Sequence, residues 1–508
     1  MAQENVLIIG AGPSGIFAAS ELARHGVTAR LVEQEVRPHH EARATAIQPG
    51  TLEILDSVGL LEPFLQSAEH VHRVRVYGPD MSELAALDFE GIDCRCEFQC
   101  SLPQYETQRI LEAHLASLGG SIERGVTATK VETDADDVSV ELAHEDGALE
   151  TVRPDFLIGA GGAHSVTRRS MSESLEGTTY QGHFLVADVA MEAPVPRDQG
   201  NFFCGPSGMM LLAPLPGGRW LTFQDLEETA QTVSVEDVVA RTEARIGGRS
   251  RPTDVAWVSP FRMHRRIVSR LADGRRFLIG DAAHLSSPFG GEGLNSGLHD
   301  GYDLAWKLAL VLSGDAHRSL LDDYAVEREI ADRHVLDVSD DVHTGIMEIA
   351  DAVRQGRQPP AEDADPVATA LARNSRVMID FDYEGSPLVS DHGANGTTAE
   401  PHPGQRYPDW TRFGGVAHHL LVFGHVPDTA ALGRLDRRWA RLVEIIHDPD
   451  VDPARAGIPK GGVVLIRPDG HIGFRSPTTD PNALAALDQH LSSYLIPDPA
   501  ANGGPERA

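Results

Sequence analysis

The chain has 508 residues, which is enough for two or three domains with a large core, and its composition is that of an ordinary globular protein. Its formal net charge of −31, with no basic run, argues against nucleic acid or an anionic membrane as a partner, because both need a basic footprint. Four cysteines are too few for a disulfide framework, so we expect reduced thiols and a cytoplasmic location.

The N-terminal region predicts neither a signal peptide nor a membrane span. Its apolar run covers only Val6 to Ile9 and lacks a charged segment before it. Nothing elsewhere approaches the length of a transmembrane helix. We therefore expect no membrane association.

That first apolar run ends in a glycine-rich turn. Val6 to Ile9 has the length and composition of a buried parallel strand, and GAGPSG at 10–15 follows in G-x-G-x-x-G register. Helical spacing then continues to Gly26, and a second apolar run at 27–32 is closed by Glu33. This order of strand, glycine turn, helix, strand and acid predicts a dinucleotide-binding unit, with a tight turn in an unrelated α/β protein as the alternative.

Each part of this unit has a physical reason. Gly10 allows the tight turn, Gly12 lets a pyrophosphate approach the backbone, and Gly15 lets helix and strand pack closely. Amides at the helix N-terminus hold phosphates, and Glu33 accepts a hydrogen bond from a ribose hydroxyl. The acid favours a ribose with a free 2′-hydroxyl, as in FAD or NAD.

Two further apolar runs also end in glycine turns, FLIGAGG at 156–162 and FLIGDAAHLSSPFGGEGLN at 277–295. Parallel strands present their carboxyl ends on one edge of a sheet, so the three turns should converge on one extended ligand. Asp281 can accept from ribityl hydroxyls, and a helix is predicted from Leu294 to Gly314. Its N-terminal amides would stabilise the negative charge of a reduced flavin, which a nicotinamide does not need.

With these motifs the chain resembles the FAD-dependent aromatic hydroxylases, the group A flavoprotein monooxygenases that include phenol and para-hydroxybenzoate hydroxylases. The resemblance covers most of the chain, and the segment at 277–309 is its most specific part. The other segments that carry it are VLIIGAGPSG at 6–15, EARATAIQPGTLEIL at 41–55, LPQYETQRILEAHL at 102–115, FLIGAGGAHSVTR at 156–168, SPLV at 386–389, GQRYPD at 404–409 and VVLIRPDGHIGFR at 463–475.

The resemblance implies a non-covalently bound FAD. The ADP half would be held by Gly10, Gly12, Pro13, Ser14, Gly15, Glu33 and Gln34. The pyrophosphate, ribityl chain and adenine would be contacted by Arg43, Gln104, Asp281 and Ala128. The isoalloxazine would be surrounded by Pro288, Gly291, Glu292, Gly293, Leu294 and Asn295, on a loop that lets the flavin move in such proteins. No catalytic base and no metal site are predicted.

Two positions depart from the family pattern. Gly161 stands where the G-A-D-G motif of the family has Asp, a carboxylate associated with the FAD ribose and with NAD(P)H. Glu292 stands where the family more often has Gln. A carboxylate near the anionic end of a reduced flavin would be unfavourable unless it turns away or is protonated.

The resemblance also implies the fold class, which is α/β with interleaved domains. A Rossmann-like FAD-binding domain would comprise 1–75, 101–180 and 275–350, and an antiparallel substrate-binding sheet would comprise 76–100 and 181–274. A helical or linker segment at 351–399 would lead to a thioredoxin-like α/β domain at 400–500. That last domain has no cysteine, which excludes a redox role and leaves a structural or dimerisation role in a monomer or homodimer.

The substrate side carries weaker signals. The strand GMMLLAPL at 208–215 and the turn PGGR at 216–219 resemble the roof of the family's substrate pocket. Candidate substrate contacts are Gln48, Phe203, Met210 and Arg219, although core packing or a structural role fits each of them better. The cluster CRCEFQC at 94–100 favours a strand over a metal site, because the remaining ligands are missing.

The function implied by the resemblance is that of an NAD(P)H-dependent flavoprotein monooxygenase. NADPH or NADH would reduce FAD, O2 would add at flavin C4a, and the hydroperoxide would hydroxylate a small phenolic or aromatic substrate, with polyketides among the options. Two alternatives stay open. One is a Baeyer–Villiger or epoxidising monooxygenase of the same fold, and the other is a FAD-binding protein without NAD(P)H-driven turnover, which Gly161 favours.

Overall fold

A computed structural model describes residues 5–38, 44–134, 137–180, 182–226, 233–357, 366–376, 378–392, 400–413, 415–447 and 449–498. Arg43 lies outside the described residues, as do residues 358–365, 377 and 393–399 of the predicted helical or linker segment. Among the helices of the described ranges, none is long and apolar enough to cross a membrane.

The helices and strands are numbered in chain order. The strands are β1 Val6–Ile9, β2 Ala29–Glu33, β3 Ala46–Ile47, β4 Glu69–Val71, β5 Arg73–Tyr77, β6 Glu83–Asp88, β7 Gln99–Ser101, β8 Ile122–Arg124, β9 Val126–Thr133, β10 Val138–His144, β11 Leu149–Val152, β12 Phe156–Gly159, β13 Glu176–Thr179, β14 His183–Ala190, β15 Gln199–Gly205, β16 Gly208–Leu215, β17 Arg219–Leu226, β18 Asp254–Phe261, β19 His264–Ile267, β20 Ala272–Asp273, β21 Arg276–Leu278, β22 His284–Leu285, β23 Ser390–Asp391, β24 His418–Phe423, β25 Val443–His447, β26 Gly462–Ile466 and β27 Ile472–Ser476. The α-helices are α1 Pro13–Arg24, α2 Pro49–Ser57, α3 Leu61–Ser67, α4 Gln104–Ser117, α5 Val166–Ser170, α6 Val235–Arg245, α7 Gly293–Leu312, α8 Leu320–Arg354, α9 Pro366–Arg376, α10 Thr429–Trp439 and α11 Pro481–Tyr494.

The three predicted glycine turns follow strands of one six-stranded sheet, β1, β12 and β21. The strand order of this sheet is β20-β21-β12-β1-β2-β8. β1 pairs in parallel with β12 and β2, and β12 pairs in parallel with β21. The register places Ile9 opposite Gly159, and Gly159 opposite Leu278. The three glycine turns therefore leave one edge of the sheet side by side, which confirms their predicted convergence.

A seven-stranded sheet of order β18-β14-β17-β16-β15-β5-β6 covers this edge. Its pairs are antiparallel except for β15 with β5. Alternate side chains point to opposite faces, so Phe202 packs toward α8 and α9, while its neighbour Phe203 packs toward α6. The predicted strand over 94–100 is wrong except at its end, because residues 92–98 are bent and irregular and only β7 is extended.

The C-terminal sheet has the order β23-β27-β26-β24-β25. β24 and β25 are parallel, whereas β26 runs antiparallel to both of its neighbours. The α/β fold class is confirmed, while the thioredoxin-like assignment of this region and the predicted domain boundaries stay predictions.

A buried ionic network lies behind the third glycine turn. The guanidinium of Arg328 on α8 donates to the carboxylates of Asp300 (2.8 Å) and Asp332 (3.0 Å). Asp300 also accepts hydrogen bonds from the Gly280 amide and, at 2.8 Å, from His284 Nε2. The side chains are 3 % exposed or less. The turn after β21 is thus anchored to α7 and α8 by charged groups that cannot be removed singly without a large cost.

Candidate active site

A cavity of about 920 Å³ runs along the carboxyl ends of β1, β12 and β21 and continues beneath the seven-stranded sheet. One end is lined by the first glycine turn and by β9. The other end is lined by the loop at 286–293 and by aromatic side chains of the sheet. An elongated space of this kind suits a cofactor and a substrate that meet in the middle.

The first glycine turn is shaped by contacts behind it and open in front. Gly10 has a φ of +107°, and a Cβ on it would overlap the carbonyl of Ala160. A Cβ on Gly15 would overlap the carbonyl oxygen of Gly10. A Cβ on Gly12, in contrast, would have no atom within 4 Å and would stand in the cavity, just before Pro13 begins α1. The turn is therefore a cradle for a ligand that approaches the backbone, as a pyrophosphate does at a helix N-terminus.

The end of the cavity beside β2 and β9 is organised by Glu33. Its carboxylate accepts from the backbone amide of Ala11 at 2.7 Å and from that of Glu35 at 2.9 Å. A carboxylate has about four acceptor positions, so these bonds orient it and leave capacity for a ribose. Gln34, Thr127 and Ala128 line the same end. The Glu33 carboxylate and the glycine cradle fit the ADP half of FAD.

Ser14 joins the first turn to the third. Its hydroxyl lies against Gly280 and Gly297, where a Cβ on either glycine would clash with it. Asp281, which follows Gly280, is exposed and lines the cavity. Gln104 also lines the cavity, and its side-chain oxygen accepts from the Ala44 amide at 3.3 Å. The structure thus brings the predicted ribityl contacts to the middle of the cavity.

The loop at 286–293 is fixed from behind by Asn295. The Asn295 amide donates to the carbonyl oxygens of Gly291 (2.7 Å) and Ala46 (3.0 Å), and its Oδ1 accepts from the Gln48 backbone amide (2.9 Å). Gly291 has a φ of +72°, and a Cβ on it would stand 2.7 Å from the Ala46 Cβ. Pro288, Gly291, Gly293 and Leu294 line the cavity, whereas Asn295 holds the loop without lining it.

Glu292 lies on this loop and is completely buried. Its Oε1 accepts from the side-chain amide of Gln48 at 3.0 Å. Its Oε2 has no partner within the distance and angle limits of a hydrogen bond among the described residues. Burial raises the pKa of the Glu292 carboxyl well above its usual range, and the neighbouring amides of Gln48 and Asn374 lower it by less.

The far end of the cavity is an aromatic chamber. Phe289 stacks on Phe202 with ring centroids 5.9 Å apart and meets the ring of Phe223 edge-on at 5.3 Å. Aliphatic side chains such as Leu371 of α9 complete the wall. The aromatic residues that line the cavity here are Phe89, Phe202, Phe223, Trp257, Phe261 and Phe289.

None of the four candidate substrate contacts lines the cavity, which agrees with the core-packing or structural role that fitted each of them better. Phe203 and Met210 lie on the other face of the seven-stranded sheet, in the core beneath α6. The Arg219 guanidinium pairs with the carboxylates of Asp188 and Asp254. Gln48 supports the loop at Gly290 and Glu292 instead of contacting a substrate directly.

Sequence reasoning missed the residues that do face the chamber. The alternation of β15 and β17 allows Phe202 and Phe223 to face the cavity, but a shift of one residue exchanges the two faces, so the sequence alone does not decide between Phe202 and Phe203. The sequence carries no signal for Asn374 and Leu371, because no local pattern indicates that α9 closes the chamber.

Gly161 lines the cavity beside the first turn. Its φ of −79° and ψ of 22° suit any residue, and the nearest atom to an added Cβ is Ser165 Cα at 3.6 Å. The adjacent turn is held by the Arg168 guanidinium, which donates to the carbonyls of Ala163 and Ala282. An aspartate at this position is therefore compatible with the fold.

Known proteins are similar to this chain over most of its length. The FAD-binding-domain family matches residues 3–339. The 6-methylpretetramide 4-monooxygenase of Streptomyces rimosus is 32% identical over 551 residues, covering 99% of this chain and 96% of that protein. The structure of the anhydrotetracycline hydroxylase OxyS from Streptomyces rimosus has a TM-score of 0.78 at 25% identity, covering 98% and 100% of the two chains. The structure of aklavinone-11 hydroxylase with FAD and aklavinone has a TM-score of 0.80 at 22% identity, covering 97% and 99%, and shows the shared fold.

The glycine cradle, the acid at the end of β2 and the cavity between the two sheets together define a flavoprotein that oxidises a second ligand. The chain belongs to the FAD-binding-domain family. It is a flavin-dependent monooxygenase with FAD as its cofactor, and the resemblance to the group A enzymes is confirmed.

Proposed function

We propose that the protein hydroxylates a polycyclic phenolic substrate, using NADPH or NADH and O2. The observation that carries this proposal is the aromatic chamber, whose walls are formed mainly by aromatic and aliphatic side chains. Stacked and edge-on rings such as Phe289, Phe202 and Phe223 favour a planar aromatic ligand by offset stacking and by exclusion of water. Relatives named for 6-methylpretetramide and anhydrotetracycline support a polyketide of several fused rings.

The residues of the chain would bind and orient FAD and the substrate and would shield them from water. Amides at the start of α1 would hold the pyrophosphate, Glu33 would hold the ribose, and the start of α7 would face the flavin end of the cavity. Bound FAD would supply the redox chemistry, taking a hydride from the nicotinamide and activating O2 so that one oxygen atom reaches the ring and the other leaves as water. The aromatic chamber would hold the ring in place and keep bulk water out.

We further propose that the parallel sheet with α1 and α7 forms the FAD domain, that the seven-stranded sheet forms the substrate domain, and that the enzyme is a cytoplasmic monomer or homodimer. Free thiols support the reducing compartment. Cys94, Cys96, Cys100 and Cys204 are unpaired, and burial raises the pKa of each thiol, to about 11 for Cys96 and about 12 for the others. Such thiols are poor nucleophiles, and none of the four forms a disulfide.

The test compares tetracyclic phenols with monocyclic phenols under labelled O2. We expect the tetracyclic compounds to accelerate NAD(P)H oxidation at least tenfold more and to gain one labelled ring hydroxyl. Label in an epoxide or a ring-expanded ester would instead support the other oxygenations of this fold. No labelled product over the whole panel would refute turnover of this class.

Two adjacent phenylalanines provide a matched pair of variants. Phe202→Leu alters the chamber, whereas Phe203→Leu alters the core on the opposite face, and both residues are at most 3 % exposed. Both changes should lower stability by a similar amount, about 1–2 kcal/mol. Only Phe202→Leu should raise KM for the tetracyclic substrate or change the hydroxylated position. An equal effect of Phe203→Leu would show that the chamber is not the substrate site.

A further inference from the structure

Glu292 is the one buried acid at the flavin end of the cavity whose charge nothing in the described structure compensates. Its carboxyl group faces the amide of Gln48, and the Asn374 amide and the Ser339 hydroxyl stand nearby around Gly290. Measured from the position of a Cβ on Gly290, Asn374 Oδ1 lies at 2.7 Å, Ser339 Oγ at 2.9 Å and Glu292 Cγ at 3.1 Å. Every one of these partners is neutral.

The charged groups on the elements packed around the loop are engaged elsewhere. On α9, Arg373 and Arg376 pair with Asp341 and Asp380 at the surface. On α8, the carboxylate of Asp340 accepts from the Tyr180 hydroxyl. Two nearby histidines are uncharged. Burial lowers the pKa of His343 to about 4, and His299 on α7, also held neutral by burial, shares a hydrogen bond with Thr51 of α2. Among the described residues, no cation is therefore placed to neutralise an ionised Glu292.

The positive end of α7 is too weak to stabilise an ionised Glu292 against burial. Glu292 is the N-cap residue of this helix, yet its side chain makes no capping hydrogen bond to the first-turn amides. The positive end of a helix changes an ionisation constant by up to about 30-fold at a partly buried site. Complete burial changes it by a factor of up to about 10³–10⁵ in favour of the neutral acid. Desolvation therefore decides the protonation state.

The polar atoms around the group point to the same state. Glu292 Oε2, Asn374 Oδ1 and Gln48 Oε1 are all buried and lack a hydrogen-bond partner among the described residues. Two of these atoms are amide oxygens, which can only accept. Ser339 Oγ, which also lacks a partner among the described residues, can supply one donor to this cluster, and a proton on Glu292 supplies a second.

We propose that Glu292 is a neutral carboxylic acid in the working enzyme and acts as a positioning residue, donating a hydrogen bond from the loop at 286–293 to the neighbouring amide oxygens without placing a negative charge at the flavin end of the cavity. Glutamine would serve the same purpose, because it has a similar shape and a donor at the same place. The inference rests on FAD binding and is independent of the proposed substrate.

The first test is infrared spectroscopy of the FAD-loaded protein at pH 7, with ¹³C-labelled glutamate to identify the carbonyl band of a protonated acid. The difference between wild type and Glu292→Gln should contain one such band. Glu329→Gln serves as the control, because Glu329 is an exposed acid of α8 paired with Arg333, and it should lose no acid band. Absence of the band from the Glu292→Gln difference would overturn the proposal.

The second test is the midpoint potential of the bound FAD, which needs no substrate and which a purely structural residue would not shift. Glu292→Gln should change the ratio of affinities for reduced and oxidised FAD by less than threefold, about 14 mV for a two-electron couple. Glu292→Ala should weaken FAD binding at least tenfold, and Glu292→Gln should restore it. In Glu292→Gln, a rise in midpoint potential of about 30 mV or more, which is a tenfold change in that ratio, would mean that the substitution had removed a negative charge. That result would overturn the proposal.

Discussion

Gly12→Ala separates ligand binding from folding at the first glycine turn. Gly12 has a φ of −72° and a ψ of 175°, which any residue adopts, and its added Cβ would contact no protein atom within 4 Å. The protein without FAD should therefore be as stable as wild type, or more stable by about 0.4–1 kcal/mol, because alanine restricts the unfolded chain. The methyl group would occupy space that the pyrophosphate needs.

The loss of affinity can be estimated from the hydrogen bonds that the methyl group displaces. Two backbone amides at the start of α1 donating to a charged phosphate are worth about 1.5–3 kcal/mol each. Losing both costs about 3–6 kcal/mol, which raises the Kd for FAD roughly 10²-fold to 10⁴-fold. The assay is a titration of the FAD-free protein with FAD, followed by the quenching of flavin fluorescence.

Gly15→Ala is the matched control, three residues further along the same turn. Its Cβ would overlap the Gly10 carbonyl oxygen and stand 3.1 Å from the Ala160 Cβ. This variant should lower the free energy of unfolding by about 1–3 kcal/mol or more, because the helix must move away from the strand. Unchanged FAD affinity in Gly12→Ala, or equal destabilisation by both variants, would refute this account of the cradle.

Two further predictions concern the second and third turns. Gly161→Asp should leave flavin content and the KM for NADPH and NADH within threefold of wild type. The backbone accepts aspartate without strain, and Glu33 and the helix N-termini already supply polar contacts. Stopped-flow reduction checks this, and a tenfold gain in affinity for the nicotinamide by the variant would contradict it. At His284, burial lowers the pKa, but the carboxylates of Asp332 and Asp300 outweigh it and raise the pKa to about 9. The stabilisation by the charged imidazole should therefore be complete below about pH 6.5 and fall as the pH rises to about 9, and urea unfolding across this range should show a slope that His284→Gln removes. A wild-type stability that rises between pH 7 and 9 would contradict it.

The local features of the FAD site were determined by the sequence alone. A buried parallel strand needs a short apolar run, a tight turn needs glycine, and a ribose contact needs an acid at the end of the next strand. All three requirements are met within residues 6–33, so β1, α1, β2 and Glu33 were predictable together. The same local pattern at β12 and β21 placed the other two turns on the same edge.

Only the tertiary structure decided which side chains face the chamber and how the loop is supported. Phe202 and Phe203 are adjacent, and the strand's position between α6 and α9 determines which one enters the cavity. Gln48 and Asn374 approach Glu292 from segments 244 and 82 residues away, so no local pattern indicates the contact. Burial then sets the charge of that acid, because the free energy of ionisation depends on all the atoms that exclude water from it.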